Sequence, residues 1–257
     1  MQLHFREYGS SGPALVILHG LLGASGNWHT LASKSFSDSF HVYAVDLRNH
    51  GRSPHSDRFD LPTMAEDVRA FLKQTGHASA HVLGHSMGGK VAMLLALESP
   101  EVVDRLVVVD IAPRAYPPHH TEILEALRLL DPGAYSSRTE IDRALSERIA
   151  SATVRQFLLK NLALDKDTGA YRWQANIEGI DRNYDAINAA IESNSTFNGP
   201  ALFVRGEKSD YVQDEDREQI LKLFPNARIE TISGAGHWVH AEAPEPFAQT
   251  VLSFLTS

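Results

Sequence analysis

Residues 80–98 read Ala80-His81-Val82-Leu83-Gly84-His85-Ser86-Met87-Gly88-Gly89-Lys90, followed by Val91-Ala92-Met93-Leu94-Leu95-Ala96-Leu97-Glu98. The apolar run before Gly84 predicts a strand, and the spacing from Lys90 to Glu98 predicts a helix. Between them, Gly-x-Ser-x-Gly is the pattern of a nucleophile elbow, a sharp turn that raises a serine hydroxyl above the edge of a sheet. Glycines on both sides of Ser86 leave room for neighbouring chain. Because only three positions are fixed, the motif depends on its strand–helix setting and on the rest of the chain.

Short apolar runs recur along the chain and alternate with segments of helical spacing. The predicted strands begin with a short alternating segment at Leu3, Phe5 and Glu7 and continue with Ala14–Leu18, His41–Val45, Ala80–Leu83, Leu106–Val109, Ala201–Val204 and Arg228–Ile232. Met64–Thr75 and Lys90–Glu98 are predicted helices between them. Runs without polar residues suit strands that are buried on both faces. The fold class predicted is α/β, with a mostly parallel central sheet flanked by helices.

The pattern changes after Pro113, where successive helices replace the alternation. Helices are predicted over Thr121–Leu130, Arg138–Ala150, Val154–Leu162 and Arg182–Glu192, with one extended stretch at Tyr171–Trp173. We therefore expect residues 1–112 and 197–257 to form the core and residues 113–196 to form a helical cap, or lid, over the sheet edge. The alternative is that this segment only covers apolar surface.

Net charge, cysteine content and the length of the apolar runs limit the kinds of partner and location that we expect for this protein. A net charge of −8 disfavours nucleic acid and anionic membranes as partners. With no cysteine, the chain has no disulfide, no thiol nucleophile and no thiolate zinc site. No apolar run is long enough for a membrane span, and the first residues lack the features of a secretory signal. A cytoplasmic protein is expected, and the oligomeric state is not predicted.

A serine nucleophile needs a histidine base, and two histidines near the end of the chain are candidates. His237 follows the small-residue loop Ser233–Gly236, which comes directly after the predicted strand Arg228–Ile232. This position suits a base that must reach over the edge of the sheet. His240 lies beyond the glycine loop and is the weaker candidate.

The oxyanion that forms during acyl transfer needs two backbone N–H donors. One should come from the residue after the nucleophile, Met87. The second should come from the loop after an early strand, and Leu21 in His19-Gly20-Leu21-Leu22-Gly23 is the candidate. A glycine-rich loop after a strand can also bind phosphate, but the chain contains neither G-x-x-x-x-G-K-[ST] nor G-x-G-x-x-G, so a phosphate-binding loop is disfavoured.

The residues leave two candidates for the acid that orients the histidine. Asp110 ends the apolar run Leu106–Val109, where an unpaired carboxylate would be costly. Asp210 lies in the polar loop Arg205–Asp210 after the next strand and is the alternative acid. Asp46, which precedes the serine, is interpreted as part of a structural turn with Arg48, Asn49, His50 and Gly51.

The chain resembles the α/β-hydrolases over its full length and, more narrowly, the small bacterial esterases called YbfF. The matching blocks are His19–Gly23, Asp46–Ser53, Gly84–Lys90, Asp110–Pro113 and Gly234–Glu242. The resemblance implies that Asp110 is the acid and that Ser209 occupies the position where most α/β-hydrolases carry theirs. It also implies hydrolysis of short acyl esters, with acyl thioesters as a further substrate class, and no metal or cofactor.

The predicted function is therefore hydrolysis of a small-molecule acyl ester through Ser86, His237 and Asp110. We expect Leu21, Leu22, Met87 and Trp238 to line the acyl pocket, because all four flank catalytic positions. Packing of Trp238 in the core is the alternative. Such bulky walls predict a preference for acyl chains of about two to six carbons, since further CH₂ groups gain about 0.8 kcal/mol each only where space exists. Alternative functions are thioester or carbon–carbon hydrolysis, perhydrolysis, or a non-catalytic receptor for small molecules.

Overall fold

A seven-stranded sheet runs through the centre of the molecule. The computed structural model describes residues 1–257. The sheet has the order β1-β3-β2-β4-β5-β8-β9, and only the β1–β3 pair is antiparallel. Its strands are β1 (Phe5–Tyr8), β2 (Ala14–Leu18), β3 (His41–Val45), β4 (Ala80–His85), β5 (Val103–Val109), β8 (Ala201–Gly206) and β9 (Ala227–Ile232). A separate hairpin pairs β6 (Leu162–Leu164) with β7 (Tyr171–Trp173). The mostly parallel α/β fold expected from the sequence is confirmed.

Helices cover both faces of the sheet and fill the long connection between β5 and β8. They are α1 (His29–Leu31), α2 (Leu61–Gln74), α3 (Met87–Glu98), α4 (Thr121–Leu129), α5 (Arg138–Ser146), α6 (Ala152–Leu158), α7 (Ile177–Arg182), α8 (Tyr184–Asn188), α9 (Asp216–Leu223), α10 (Val239–Glu242) and α11 (Pro244–Leu255). The turn before α1 is a 3₁₀ helix, Ser25–Trp28, and the turn after it is a π-helix, Ala32–Phe36. None of these helices combines the length and the apolar composition that a membrane-spanning segment requires.

The central strands of the sheet contribute alternate side chains to two separate apolar cores. Val16, Val82 and Val108 belong to a core of 53 buried residues, which packs α2 and α3 and reaches into the β5–β8 connection. Their neighbours Ile17 and Leu83 belong to a core of 22 residues on the other face, under α11. Both faces of the sheet are therefore dry, which explains the uninterrupted apolar runs in its central strands.

The segment between β5 and β8 differs in detail from the sequence-based prediction. The helix expected over Val154–Leu162 ends as α6 at Leu158, continues as the 3₁₀ turn Leu159–Asn161, and passes into β6. The helix expected over Arg182–Glu192 is shorter than predicted: α7 already ends at Arg182, and within the range only Tyr184–Asn188 forms a helix, α8. Tertiary pairing explains the first difference, because β6 forms a ladder with β7 that helical periodicity cannot reveal.

The carboxyl ends of the parallel strands lie together at one edge of the sheet. β2 ends at Leu18 beside β4, β4 ends at His85 beside β5, and β8 ends at Gly206 beside β9. In open parallel sheets, this edge is where ligands bind. The loops that follow these strands contain the candidate residues for catalysis.

Candidate active site

Ser86 lies in a strained turn between β4 and α3. Its backbone has φ 52° and ψ −118°, a region that residues with side chains seldom occupy. The turn is fixed by the Ser86 N–H, which donates to the Val109 carbonyl at 3.0 Å. A Cβ on Gly84 would lie 2.1 Å from the Gly88 carbonyl oxygen, and one on Gly88 would lie 2.5 Å from the His19 carbonyl oxygen. Only glycine fits at these two positions, as expected for a nucleophile elbow.

His237 joins the serine to a buried carboxylate. The Ser86 Oγ and the His237 Nε2 are 3.1 Å apart, and the His237 Nδ1 donates to the Asp110 Oδ2 at 2.8 Å. With Nδ1–H committed to Asp110, Nε2 is left to accept the serine proton. The three residues come from the ends of β4 and β5 and from the loop after β9, and the order along the chain is Ser, Asp, His.

Asp110, and not Asp210, contacts the histidine. The Asp110 carboxylate is fully buried, and its Oδ1 accepts the Gly206 N–H at 2.9 Å while its Oδ2 also accepts the Ser209 hydroxyl. Each oxygen of the buried charge therefore has a partner. Asp210 is exposed, its side chain makes no hydrogen bond, and its carbonyl accepts from Arg114.

The His237 ring is held from several sides. Tyr211 stacks on it with centroids 3.8 Å apart. The His237 carbonyl accepts a hydrogen bond from the Nε2 of His85, the residue before the nucleophile, at 2.9 Å. The Glu242 carboxylate accepts the N–H groups of Gly236 at 2.8 Å and of Trp238 at 3.3 Å, which fixes the loop on both sides of the base.

The loop after β2 presents candidate oxyanion donors beside the elbow. The Leu21 N–H donates no hydrogen bond within the protein, and Met87 is the first residue of α3, so its N–H has no acceptor in the helix. Leu22 has φ 57°, and its N–H donates to the Nε2 of His50 at 3.0 Å. The neighbouring His19 accepts the N–H of Leu47 at 3.0 Å in the same way.

These two histidines act as neutral hydrogen-bond acceptors that join the β2 loop to the β3 loop. In each ring Nδ1 donates to a backbone carbonyl, that of Gly20 for His19 and that of Arg48 for His50, so Nε2 is unprotonated. Burial lowers the pKa of His19, and burial together with the nearby His19 lowers the pKa of His50 to about 3. The turn interpreted from the sequence as structural therefore also supports the candidate oxyanion loop.

Two cavities open from Ser86. The larger, with about 660 Å³ of empty space partly open to solvent, has Leu22, Phe157 and Trp238 among the apolar residues of its lining. The smaller has about 380 Å³ and is lined by Met87 and by several polar side chains. Leu21, Ser86 and His120 line both, so they mark the junction. The single acyl pocket expected from Leu21, Leu22, Met87 and Trp238 is divided between two spaces.

Trp238 and His240, which follow His237 in the sequence, lie in different surroundings. Trp238 is partly exposed and packs on Phe157 of α6 with centroids 5.5 Å apart, so it forms a wall of the larger cavity rather than part of a core. His240 is buried and stacks on Trp28 at 4.3 Å. Burial, with the positive field of His237, lowers the pKa of His240 to about 3. No hydrogen bond joins His240 to the serine.

Several supporting residues were not singled out from the sequence. His85 occupies a variable position of the elbow motif, and Glu242 ends the last block that carries the resemblance to YbfF esterases, where it had no role of its own. Ser209 was singled out only as the residue at the usual position of the acid, and its hydrogen bond to Asp110 was not predicted. Their function is visible only when β4, β8 and β9 are brought together. Lys90 is a further case: it is buried in α3, and its Nζ donates to the carbonyls of Asn188 and Ala189 at 3.0 and 2.6 Å.

No cluster of His, Asp and Glu side chains is arranged to hold a metal ion.

Comparison with known proteins gives a consistent result. Residues 13–244 match the family described as the alpha/beta hydrolase fold. The mouse protein named sn-1-specific diacylglycerol lipase ABHD11 is 40% identical over 251 residues, covering 95% of this chain and 81% of the mouse protein. Esterase YbfF of Escherichia coli is 34% identical over 242 residues, covering 94% and 92% of the two chains.

A solved structure is similar over nearly the whole chain. The protein titled "Marine microorganism esterase" superposes with a TM-score of 0.95 at 43% identity and covers 98% of this chain and 99% of its own. Its title agrees with the esterase and lipase names of the sequence relatives. The chain therefore belongs to the α/β-hydrolase family, and these similarities make it a hydrolase of the carboxylesterase type.

Proposed function

We propose that the protein is a serine esterase that hydrolyses short-chain acyl esters of small molecules through an acyl-enzyme intermediate. The observation that carries the proposal is the continuous hydrogen-bonded chain from Ser86 through His237 to Asp110. Leu21 and Met87 are the oxyanion donors in this proposal, because both N–H groups adjoin the serine. We treat residues 113–196 as the cap, since α4 and α6 contribute walls to the cavity beside Ser86.

The geometry supports a mechanism in two steps, acylation of the serine and hydrolysis of the acyl-enzyme. The Ser86 Oγ attacks the ester carbonyl while the His237 Nε2 takes its proton, and Asp110 stabilises the imidazolium that forms. Negative charge on the former carbonyl oxygen is met by the N–H groups of Leu21 and Met87. His237 then returns the proton to the departing alcohol. A water molecule, deprotonated by His237, then attacks the acyl-enzyme in the same way, and the carboxylic acid is released as Ser86 regains its proton.

The positions of the cavities suggest which half of the ester each receives. His237 lines the larger cavity and does not line the smaller one. Because His237 must protonate the leaving oxygen, the alcohol half extends into the larger cavity. The acyl half then occupies the smaller cavity, where Leu21 and Met87 limit its length. Leu22 and Trp238 are substrate-binding residues of the alcohol half in this assignment.

A matched panel of esters and thioesters tests the proposal. We expect kcat/KM for p-nitrophenyl esters to be highest between about two and six acyl carbons, because each added CH₂ gains about 0.8 kcal/mol only until the smaller cavity is filled. Acyl-coenzyme A thioesters of the same chain lengths provide the second series. An optimum at ten or more carbons would overturn the short-chain assignment and would favour a lipid acyl chain in the larger cavity, in keeping with the lipase name of the mouse relative.

A further inference from the structure

The smaller cavity carries an unusual set of polar groups. Apart from Ser86, its polar lining consists of Lys90, Tyr116, His119, His120, Tyr184, Asn188 and Tyr211. Each of these side chains can donate a hydrogen bond, and none is a carboxylate. Some of these groups are already paired within the protein, since the Lys90 Nζ donates to two carbonyls and the Tyr116 hydroxyl donates to the Tyr211 carbonyl. A donor that has no such acceptor is costly to bury and therefore indicates an acceptor on the ligand.

One of these donors is buried and has no partner. The Nδ2 of Asn188, in the residue that ends α8, is buried beside the Tyr184 hydroxyl and makes no hydrogen bond of normal length within the protein. Its backbone carbonyl is held by the Lys90 Nζ at 3.0 Å and by the Tyr116 N–H at 2.9 Å, so the backbone of this residue is fixed beside the cavity. An unsatisfied side-chain amide on a fixed backbone, in the lining of this cavity, indicates an acceptor on the ligand.

His120 supplies a second donor, and its tautomer follows from Tyr184. The Tyr184 hydroxyl oxygen accepts the backbone N–H of His120 at 3.0 Å and lies 2.8 Å from the Nδ1 of the same residue. The hydroxyl proton has no other acceptor, so it is donated to Nδ1. The ring proton must then be on Nε2, which makes no hydrogen bond within the protein. Burial, with the positive field of His237, lowers the pKa of His120 to about 4, which keeps the ring neutral at neutral pH.

We propose that the smaller cavity is a polar acyl subsite, in which the Nε2–H of His120 and the Nδ2–H of Asn188 bind an oxygen acceptor on the acyl group close to the scissile carbonyl. The preferred substrates are then esters of acids that carry an ether, hydroxyl or keto oxygen one or two carbons from the carboxyl carbon. This inference rests on the proposed esterase function and on the assignment of the acyl half to the smaller cavity. His120 and Asn188 are specificity-determining residues in this account, and Tyr184 positions His120.

The test compares two esters of equal shape, p-nitrophenyl methoxyacetate and p-nitrophenyl butyrate, which differ by one oxygen in place of one CH₂. The measured quantity is the ratio of their kcat/KM values. The ether is intrinsically more reactive, but this difference cancels when the ratio for a variant is divided by the ratio for the wild type.

Four variants test the donors. His120→Phe and Asn188→Leu remove one donor each. Tyr184→Phe removes the group that fixes the tautomer, and His120→Gln keeps an N–H near the position of Nε2. Thr121→Val is the matched control, because it removes an exposed hydroxyl in the same turn that faces neither cavity.

We expect His120→Phe and Asn188→Leu each to lower the ether-to-alkyl ratio by about three- to tenfold, the range that loss of one hydrogen bond gives. His120→Gln should restore much of the ratio, Tyr184→Phe should lower it less, and Thr121→Val should leave it unchanged. Thermal melts identify any variant that does not fold, and the remaining variants then decide. An unchanged ratio in every folded variant, with butyrate still hydrolysed, would overturn the subsite. A wild type that hydrolyses neither ester would instead overturn the proposed function.

Discussion

At the scale of single residues, the proposed reaction uses groups whose hydrogen-bond partners leave each of them one available role. Asp110 has both oxygens occupied by donors, and His237 has Nδ1 committed to that carboxylate. The base can therefore accept a proton only at Nε2, beside Ser86. The sequence offered two acids, and spacing alone could not separate them, because both follow strands that end at the same edge. Burial distinguishes the two acids, because Asp110 is fully buried and hydrogen-bonded to the histidine, whereas Asp210 is exposed to solvent.

Parallel substitutions of the two aspartates test this assignment. Asp110→Asn should lower kcat by about 10² to 10⁴, because the histidine loses the partner that fixes its tautomer and stabilises its charge. Asp210→Asn should lower kcat by less than about tenfold, the effect expected of an exposed group outside the chain of proton transfer. Kinetics on one p-nitrophenyl ester, with thermal melts of both variants, provide the comparison. The opposite ranking would transfer the acid to Asp210.

Trp238 allows a test of which half of the ester lies in the larger cavity. Trp238→Ala removes a wall beside Phe157 and should raise kcat/KM for butyrate esters of longer alcohols by several-fold, since each newly buried CH₂ gains up to about 0.8 kcal/mol. The acyl-chain optimum, measured with p-nitrophenyl esters, should stay where it is in the wild type. A shift of the acyl optimum with no change in the alcohol series would show that the two halves have been exchanged.

At the scale of elements, the site is built from turns after strands, and the elbow between β4 and α3 is the most constrained of them. The strand, the turn and the helix around Ser86 could be predicted from one motif, because apolar runs and glycine spacing are local signals. The extended stretch predicted at Tyr171–Trp173 is β7, but its partner β6 could not be predicted, because strand pairing within the β5–β8 connection leaves no local signal. The roles of His85 and His50 were also invisible, since each acts on a loop far away in sequence.

Gly88 tests how tightly the elbow packs against the β2 loop. A methyl group there would lie 2.5 Å from the carbonyl oxygens of Leu18 and His19, so Gly88→Ala should displace the loop that presents Leu21. We expect a loss of about 1–3 kcal/mol in unfolding free energy, typical of overpacking, together with a lower kcat. Gly76→Ala is the matched control, because Gly76 has φ 78° and open space around its Cβ position. It should cost stability through backbone strain alone and leave kcat unchanged. Equal kcat values in the two variants would contradict the proposed contact.

At the scale of the whole molecule, several buried histidines make stability depend on pH. Burial holds the pKa of His50 and His240 at about 3 and that of His120 at about 4, against about 6.5 in an unfolded chain. The unfolded state therefore binds more protons, and stability is complete above pH ~6.5 and is lost as pH falls towards the folded pKa values. Each such histidine contributes a slope of about 1.4 kcal/mol per pH unit in this window.

Denaturant unfolding at pH 7.5, 6 and 5 measures this dependence. We expect the unfolding free energy to fall steeply below pH 6.5 in the wild type. His240→Phe should flatten the curve, because phenylalanine can keep the stacking on Trp28 and does not titrate, and the Nδ1 of His240 has no partner to lose. A pH dependence that is the same for His240→Phe and for the wild type would show that folding does not lower the pKa of His240.

The central claim is that Ser86 forms a covalent acyl-enzyme, and covalent labelling with a fluorophosphonate tests it most directly. The wild type should take up one label per chain, peptide mapping should place the label on Ser86, and esterase activity should disappear in proportion to labelling. Ser86→Ala should take up no label and should lose essentially all turnover, since loss of such a serine costs on the order of 10⁶ in rate. A folded Ser86→Ala variant that kept more than about a tenth of wild-type activity, or a label on another residue that tracked the loss of activity, would contradict the account.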